Sequence, residues 1–205
     1  MEMTEIADLS PASLEGCIGY VVLIPLSVEN QQKAARWQEK FSLAFPDTLS
    51  PYLPETLHIT VLSWFTPYVS YSGRNDELFK KSFQEYDQAF SESVAGIAPY
   101  EVAFDTLHAN SSAVYLTGED RGQMNLIREK FLKQVEILPG TKMPPTIIHV
   151  SLTRFLKEVP LQSLRDFLAR EPLVFSQPIH EFHLLRDTKA PKETSELVKK
   201  YVFSQ

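Results

Sequence analysis

One cysteine among 205 residues, Cys17, leaves no intramolecular disulfide to form. That fits a reducing compartment, and a lone Cys just ahead of an apolar run is expected to be a small buried hydrophobe. With no second cysteine there is no cysteine cluster for a zinc site either. Basic residues are outnumbered, 20 Lys and Arg against 26 Asp and Glu, for a net charge of −6. A duplex DNA or long-RNA binder usually carries a basic surface, so that class is disfavoured, while a small nucleotide in a locally basic cleft is not. No apolar run approaches the ~20 residues of a membrane span. The opening MEMTEIADLSPASLEG lacks the basic and apolar regions of a signal peptide. Low-complexity tracts and interdomain linkers are also missing. These absences predict a soluble, cytoplasmic, monomeric protein: a polar arm over residues 1–16 and a single domain over 17–205. Hydrophobic residues at 43% supply a sizeable core.

The run IGYVVLIPL, residues 18–26, is β-branched and almost wholly apolar, as a doubly buried strand would be. Ser27 is placed to cap a helix over 28–45, with Ala34, Trp37 and Phe41 at helical spacing. Further helices are expected over 76–94, 121–137 and 160–170. Strands are expected over 56–65, 100–107, 113–117, 146–154, 180–187 and 199–204, with a turn at 108–112. The order strand, helix, proline-bearing loop, histidine strand occurs twice, which suggests a loose internal duplication.

The two histidine strands are LHITVLSWF, residues 57–65, and IIHVSLTRF, residues 147–155. Alternate residues of a strand share a face. His58 and Thr60 would therefore share one face, and His149 and Ser151 another, with Ile59, Val61, Val150 and Leu152 turned to the core. Imidazole titrates near neutrality, so one ring can accept a proton while the other donates one. Cleaving a phosphodiester needs both transfers, and hydroxyl donors stabilise the charge that develops on the non-bridging oxygens. A single His-x-Thr triplet is weak evidence, since a lone strand histidine is usually structural. Two triplets with matching flanks, at equivalent points of two halves, are not.

The paired motifs LHITV and IHVSL resemble the His-x-Thr/Ser signatures of the two-histidine (2H) phosphoesterase superfamily, which includes RNA 2′,5′-ligase and cyclic phosphodiesterase-like proteins. In element order and motif separation the resemblance runs from about Gly19 to the terminal strands. It implies a bilobal α+β fold: two pseudo-symmetric lobes with antiparallel-type sheets lining a central cleft, helices outside. By motif match it makes His58 and His149 the acid/base pair and Thr60 and Ser151 the phosphate-binding hydroxyls; Ser151 stands where Thr is commoner and keeps the hydroxyl. It implies no metal or other cofactor, and a small nucleotide or RNA terminus as substrate. The alternatives are a non-catalytic nucleotide-binding module on the same fold, or a scaffold with structural histidines.

Other candidates are weaker. Trp64, Phe65 and Tyr68 could stack a base at a cleft mouth, or Trp64 and Phe65 could be core. Arg154 is at odd spacing from His149 and points to the opposite face unless the strand ends or bulges there. Arg186 could meet phosphate or form a surface ion pair. His180 and His183 face opposite sides of a strand, which argues against a metal site. Substrate choice falls to the loops at 66–75 and 139–146.

Overall fold

Strict alternation of buried and half-exposed residues at the start of both histidine strands shows that each has one face in the core and one outside it. The computed structural model describes residues 2–7, 19–66, 69, 71–189 and 194–203. The elements run β1 (Gly19–Pro25), α1 (Val28–Ala44), β2 (Leu49–Pro51), β3 (His58–Phe65), α2 (Asn75–Val94), β4 (Tyr100–Ala109), β5 (Val114–Glu119), α3 (Gln123–Leu132), β6 (Ile148–Phe155), α4 (Leu161–Leu168), β7 (Phe175–Ile179), β8 (Glu181–Lys189) and β9 (Thr194–Val202). The architecture is α+β. One sheet has the order β3-β1-β8-β9, the other β2-β6-β5-β4-β7, and their pairings are antiparallel.

The suspected duplication is visible in this order. Each sheet begins, β2 apart, with a histidine strand (β3 or β6), followed by the strand that opens its half (β1 or β5). The helices, however, are exchanged. Helix α1 follows β1 of the first sheet but packs on β6 and β7 of the second. Asn30 donates to the Ser176 carbonyl at 2.8 Å and to Gln177 Oε1 at 3.0 Å, fastening α1 to β7. Helix α3 follows β5 of the second sheet but packs with α2 on β3 of the first, where Phe131 stacks on Trp64. One hydrophobic cluster runs through both sheets and the helices over them.

Several boundaries differ from the sequence expectation. Ser27 caps α1 as expected, accepting from the Asn30 N–H. Helix α3 stops at Leu132 rather than 137. The expected turn at 108–112 is narrower: β4 continues through His108 and Ala109, and Asn110 accepts from the N–H groups of Ser112 and Ala113 to reverse the chain. Strand β7 carries Pro178, which lacks the N–H a central strand must donate; it sits at the sheet edge, where that is tolerated. The expected polar arm is, over residues 2–7, laid on the second lobe: Thr4 is buried, its N–H donating to the Val159 carbonyl, and the Ala7 N–H donates to the Phe155 carbonyl. Cys17 and Tyr68 lie outside the described residues. Among the described residues no helix is long and apolar enough to cross a membrane.

Candidate functional site

The two motif strands are built alike. From each histidine onward the burial sequence is the same: half-exposed, buried, half-exposed, buried, buried, half-exposed. His58, Thr60 and Ser63 are the half-exposed positions of β3; His149, Ser151 and Arg154 are those of β6. The double buried step is a bulge. On β3 the register passes from Thr60 to Leu62 and skips Val61. On β6 it passes from Ser151 to Thr153 and skips Leu152. An extra residue inverts the alternation beyond it. Arg154, at odd spacing from His149, is thereby carried onto the histidine's face, as Ser63 is on β3.

A bulged residue loses ladder partners, and its carbonyl must be satisfied elsewhere. In both strands the exchanged helix does this. Arg128 of α3 donates from Nε to the Val61 carbonyl at 2.8 Å and from Nη2 to the Thr60 carbonyl at 3.0 Å. Gln38 of α1 donates to the Leu152 carbonyl at 2.7 Å and to that of Tyr52 at 3.0 Å. Both side chains are buried. Both also break an otherwise apolar helical stripe, Arg128 among Met124, Ile127 and Phe131, Gln38 among Ala34, Trp37 and Phe41. That interruption is legible in the sequence, and neither residue was among the sequence candidates. Burial lowers the Arg128 guanidinium to about 10, against attraction from Asp120.

Strands β3 and β6 lie side by side, with Cα atoms approaching within 8 Å. His58 Nδ1 lies 2.7 Å from the Thr56 carbonyl, which can only accept. Nδ1 therefore carries hydrogen, and Nε2 is the nitrogen left for proton exchange in the neutral ring. The Ile147 carbonyl stands two residues before His149, as Thr56 does before His58, and favours the protonated ring. Buried Nδ1 of His149 nevertheless lacks a well-formed hydrogen bond among the described residues. Burial outweighs that carbonyl, and the charges of Lys142, Arg128 and Arg154 act with burial, so His149 is pushed below the ordinary imidazole value of 6.5. Three cations near one ring also favour an anionic ligand there.

The depressed His149 makes stability depend on pH. Below 6.5 the unfolded chain binds a proton that the folded ring resists, so this group's contribution is complete above 6.5 and lost as pH falls through the folded value. A His149→Gln variant is expected to lose less stability than wild type over that acidic window, as measured by denaturant unfolding at matched pH values.

The remaining sequence candidates are placed as follows. Trp64 and Phe65 are 1% and 0% exposed, packed among Phe79, Tyr86 and Phe131 beneath the helices, and are not cleft aromatics. The register shifts within β3 turn both to the helix side. Arg186 pairs across the sheet with Tyr20, also on the helix side, and its guanidinium makes a double hydrogen bond to Asp76 at the start of α2. That contact holds Asp76 down at about 2, while burial, assisted by Asp76, pushes Tyr20 up to about 12. Arg186 is thus a structural clasp, turned away from the His58 face. Arg154 is on the histidine side, donating to Tyr52 Oη at 2.9 Å and to the Ser112 carbonyl at 3.1 Å. The loops after β3 and before β6 are tied to each other: the Lys142 N–H donates to Thr66 Oγ1, and the Tyr71 and Thr141 hydroxyls lie 2.9 Å apart. A cavity of about 420 Å³ between Asp105–Ala109 of β4 and the end of α4 contains neither motif histidine. Among the described residues no group of three or more His, Cys, Asp or Glu side chains is arranged to hold a metal ion.

Residues 24–191 match the family model described as the 2′-5′ RNA ligase superfamily. No curated protein sequence matches the chain. The fold is that of several solved structures. TT0787 of Thermus thermophilus superposes with a TM-score of 0.64 at 17% identity, covering 90% of this chain and 97% of that one. A phosphoesterase structure gives 0.60 at 19%, covering 91% and 99%. E. coli LigT in its apo form gives 0.58 at 19%, covering 92% and 99%.

Proposed function

This chain belongs to the 2′-5′ RNA ligase superfamily, and on that premise we propose that it is a phosphodiesterase acting on a small nucleotide or an RNA terminus, with a 2′,3′-cyclic, 2′,5′- or 3′,5′-linked phosphate as the target. The observation that carries the reading is the repeated strand face: imidazole, hydroxyl and a bulge at the same offset on two neighbouring strands, with cations around one imidazole. The structural relatives support the substrate class. E. coli LigT has been solved with 3′-AMP, with ATP, with NADP+ and with phosphate, and the MHV ns2 PDE domain shares the fold at a TM-score of 0.54 and 13% identity.

In the cleavage direction His149, its proton affinity lowered by its surroundings, takes the proton of the attacking oxygen, that of water in hydrolysis or of a ribose hydroxyl in transesterification. The oxygen attacks phosphorus, and His58 gives a proton from Nε2 to the departing oxygen. Thr60 and Ser151 donate to the non-bridging oxygens, whose charge grows in the transition state. The histidines exchange roles when the reaction runs backwards. Both proton transfers are served by imidazoles, so the chemistry runs without a metal.

The test is a screen in EDTA of 2′,3′-cyclic AMP and of 2′,5′- and 3′,5′-linked diadenosine phosphates, with products identified by mass. Turnover of at least one, with a bell-shaped pH profile, is expected. Binding of all three without turnover would make the chain a nucleotide-binding module, and the enzymatic reading would fall.

A further inference from the structure

The face that carries His149 and Ser151 does not end at β6. Across the ladder, Ser151 is opposite Tyr115 and His149 is opposite Thr117; Tyr115 is in turn opposite His108, and Thr117 opposite Thr106. Residues directly opposite in an antiparallel pair share a face. Two polar rows therefore cross three strands, His149–Thr117–Thr106 and Ser151–Tyr115–His108. With strands ~4.8 Å apart, the second row reaches about 10 Å from Ser151.

The aromatic members of these rows are fixed before any ligand arrives. Thr117 Oγ1 gives its one hydrogen to the Thr106 carbonyl at 3.2 Å. At its 3.0 Å contact with His108 Nε2 the hydroxyl must then accept, so the His108 ring is held as an Nε2–H donor. That ring lies over Tyr115 with centroids 5.3 Å apart and planes 21° from parallel. Tyr115 also meets His149 edge-on, with centroids 5.9 Å apart. His108 lies against the half-buried tyrosine from the β4 side, and on the β6 side its neighbours are the small Ser151, directly opposite, and the edge-on ring of His149.

From this geometry we infer that Tyr115, backed by His108, is a stacking platform for the nucleobase of the nucleotide whose phosphate sits at Ser151 and His149. The inference rests on the phosphodiesterase reading for the position of that phosphate. One strand spacing from phosphate to ring is the span from a ribose phosphate to its own base. Stacking uses a ring face, which every base has, so the subsite selects for the presence of a base over its identity. His108 acts on the substrate only through Tyr115 and is a positioning residue.

The probe is 2-aminopurine riboside 3′-phosphate, whose fluorescence is quenched when its base stacks; ribose 3-phosphate is the baseless control. Wild type is expected to bind the probe with quenching. Tyr115→Leu should abolish the quenching and weaken probe binding about 5- to 150-fold, the size of one base–aromatic stack, with ribose 3-phosphate affinity unchanged. Tyr115→Phe should restore both quenching and affinity, and His108→Leu should fall between. Equal weakening of probe and control in Tyr115→Leu, or unquenched binding by wild type, would overturn the platform. Failure of the enzymatic reading looks different: a quenched, Tyr115-dependent complex in a protein that turns nothing over.

Discussion

Replacing His58 or His149 by alanine is expected to lower kcat by about 10²–10⁴-fold, the usual size of a general acid–base contribution, while the protein stays folded. Both imidazoles lie on the half-exposed face of their strands, so neither substitution opens a cavity in the core. The two variants should differ in the pH profile. Loss of the residue that must be deprotonated removes the acidic limb, and loss of the residue that must be protonated removes the alkaline one. The depressed His149 assigns the first change to His149→Ala and the second to His58→Ala. The double variant should be scarcely slower than either single, because the two groups act in one concerted event. Steady-state rates across pH, with circular dichroism confirming the fold, measure all of this. Substantial activity in both single variants would remove acid–base catalysis from the account.

The second large effect is expected at Arg128, which touches neither motif histidine. Arg128→Met should cost about 2–4 kcal/mol, since it strands two carbonyls of an edge strand and each unsatisfied buried group costs ~1–3 kcal/mol, less what is regained by no longer burying a charge. Gln38→Leu should cost less, because the Leu152 carbonyl keeps the Tyr52 N–H as a partner at 3.1 Å. Removing the Arg128 charge also lets the His149 value rise, so the acidic limb of the activity profile should move to higher pH. Arg128→Lys keeps the charge and loses the fork that spans both carbonyls, and should restore the limb more fully than the stability. Denaturant unfolding and pH–rate profiles read these two effects separately, and a loss of stability with an unmoved limb would confine Arg128 to a structural role.

The motif strands were legible because their signal is local. Alternation over four residues, twice, put each imidazole and its hydroxyl on one face, and the structure agrees. What depends on register was not legible. The bulges at Val61 and Leu152 invert the alternation after the motif, so Arg154 joins the histidine face and Trp64 turns into the core; a second shift past Trp64 keeps Phe65 in the core as well. Arg186 is one residue out of phase with the His58 face, and its partner Asp76 is 110 residues away in sequence. His108 looked like part of a turn because HANSS is rich in turn formers; β4 runs two residues into it, and only the cross-strand pairing places His108 beside Tyr115. An apolar helical stripe shows that a helix packs but not which sheet it covers, so the exchange of α1 and α3 had no sequence signal beyond Gln38 and Arg128 interrupting those stripes.

That exchange leaves the two histidine strands in unlike surroundings. A strand–helix–strand unit that lends its helix to a twin is the topology of a domain-swapped dimer, here joined into one chain. A symmetric dimer would present two equivalent imidazoles, and equivalent groups have no reason to divide the work of acid and base. In this chain the side chains that the lent helices send to the bulges differ: a guanidinium reaches that of β3 and a neutral amide that of β6. With a guanidinium behind one and an amide behind the other, the two histidine strands are not electrostatically equivalent: the Arg128 charge adds to burial and to Lys142 in lowering His149.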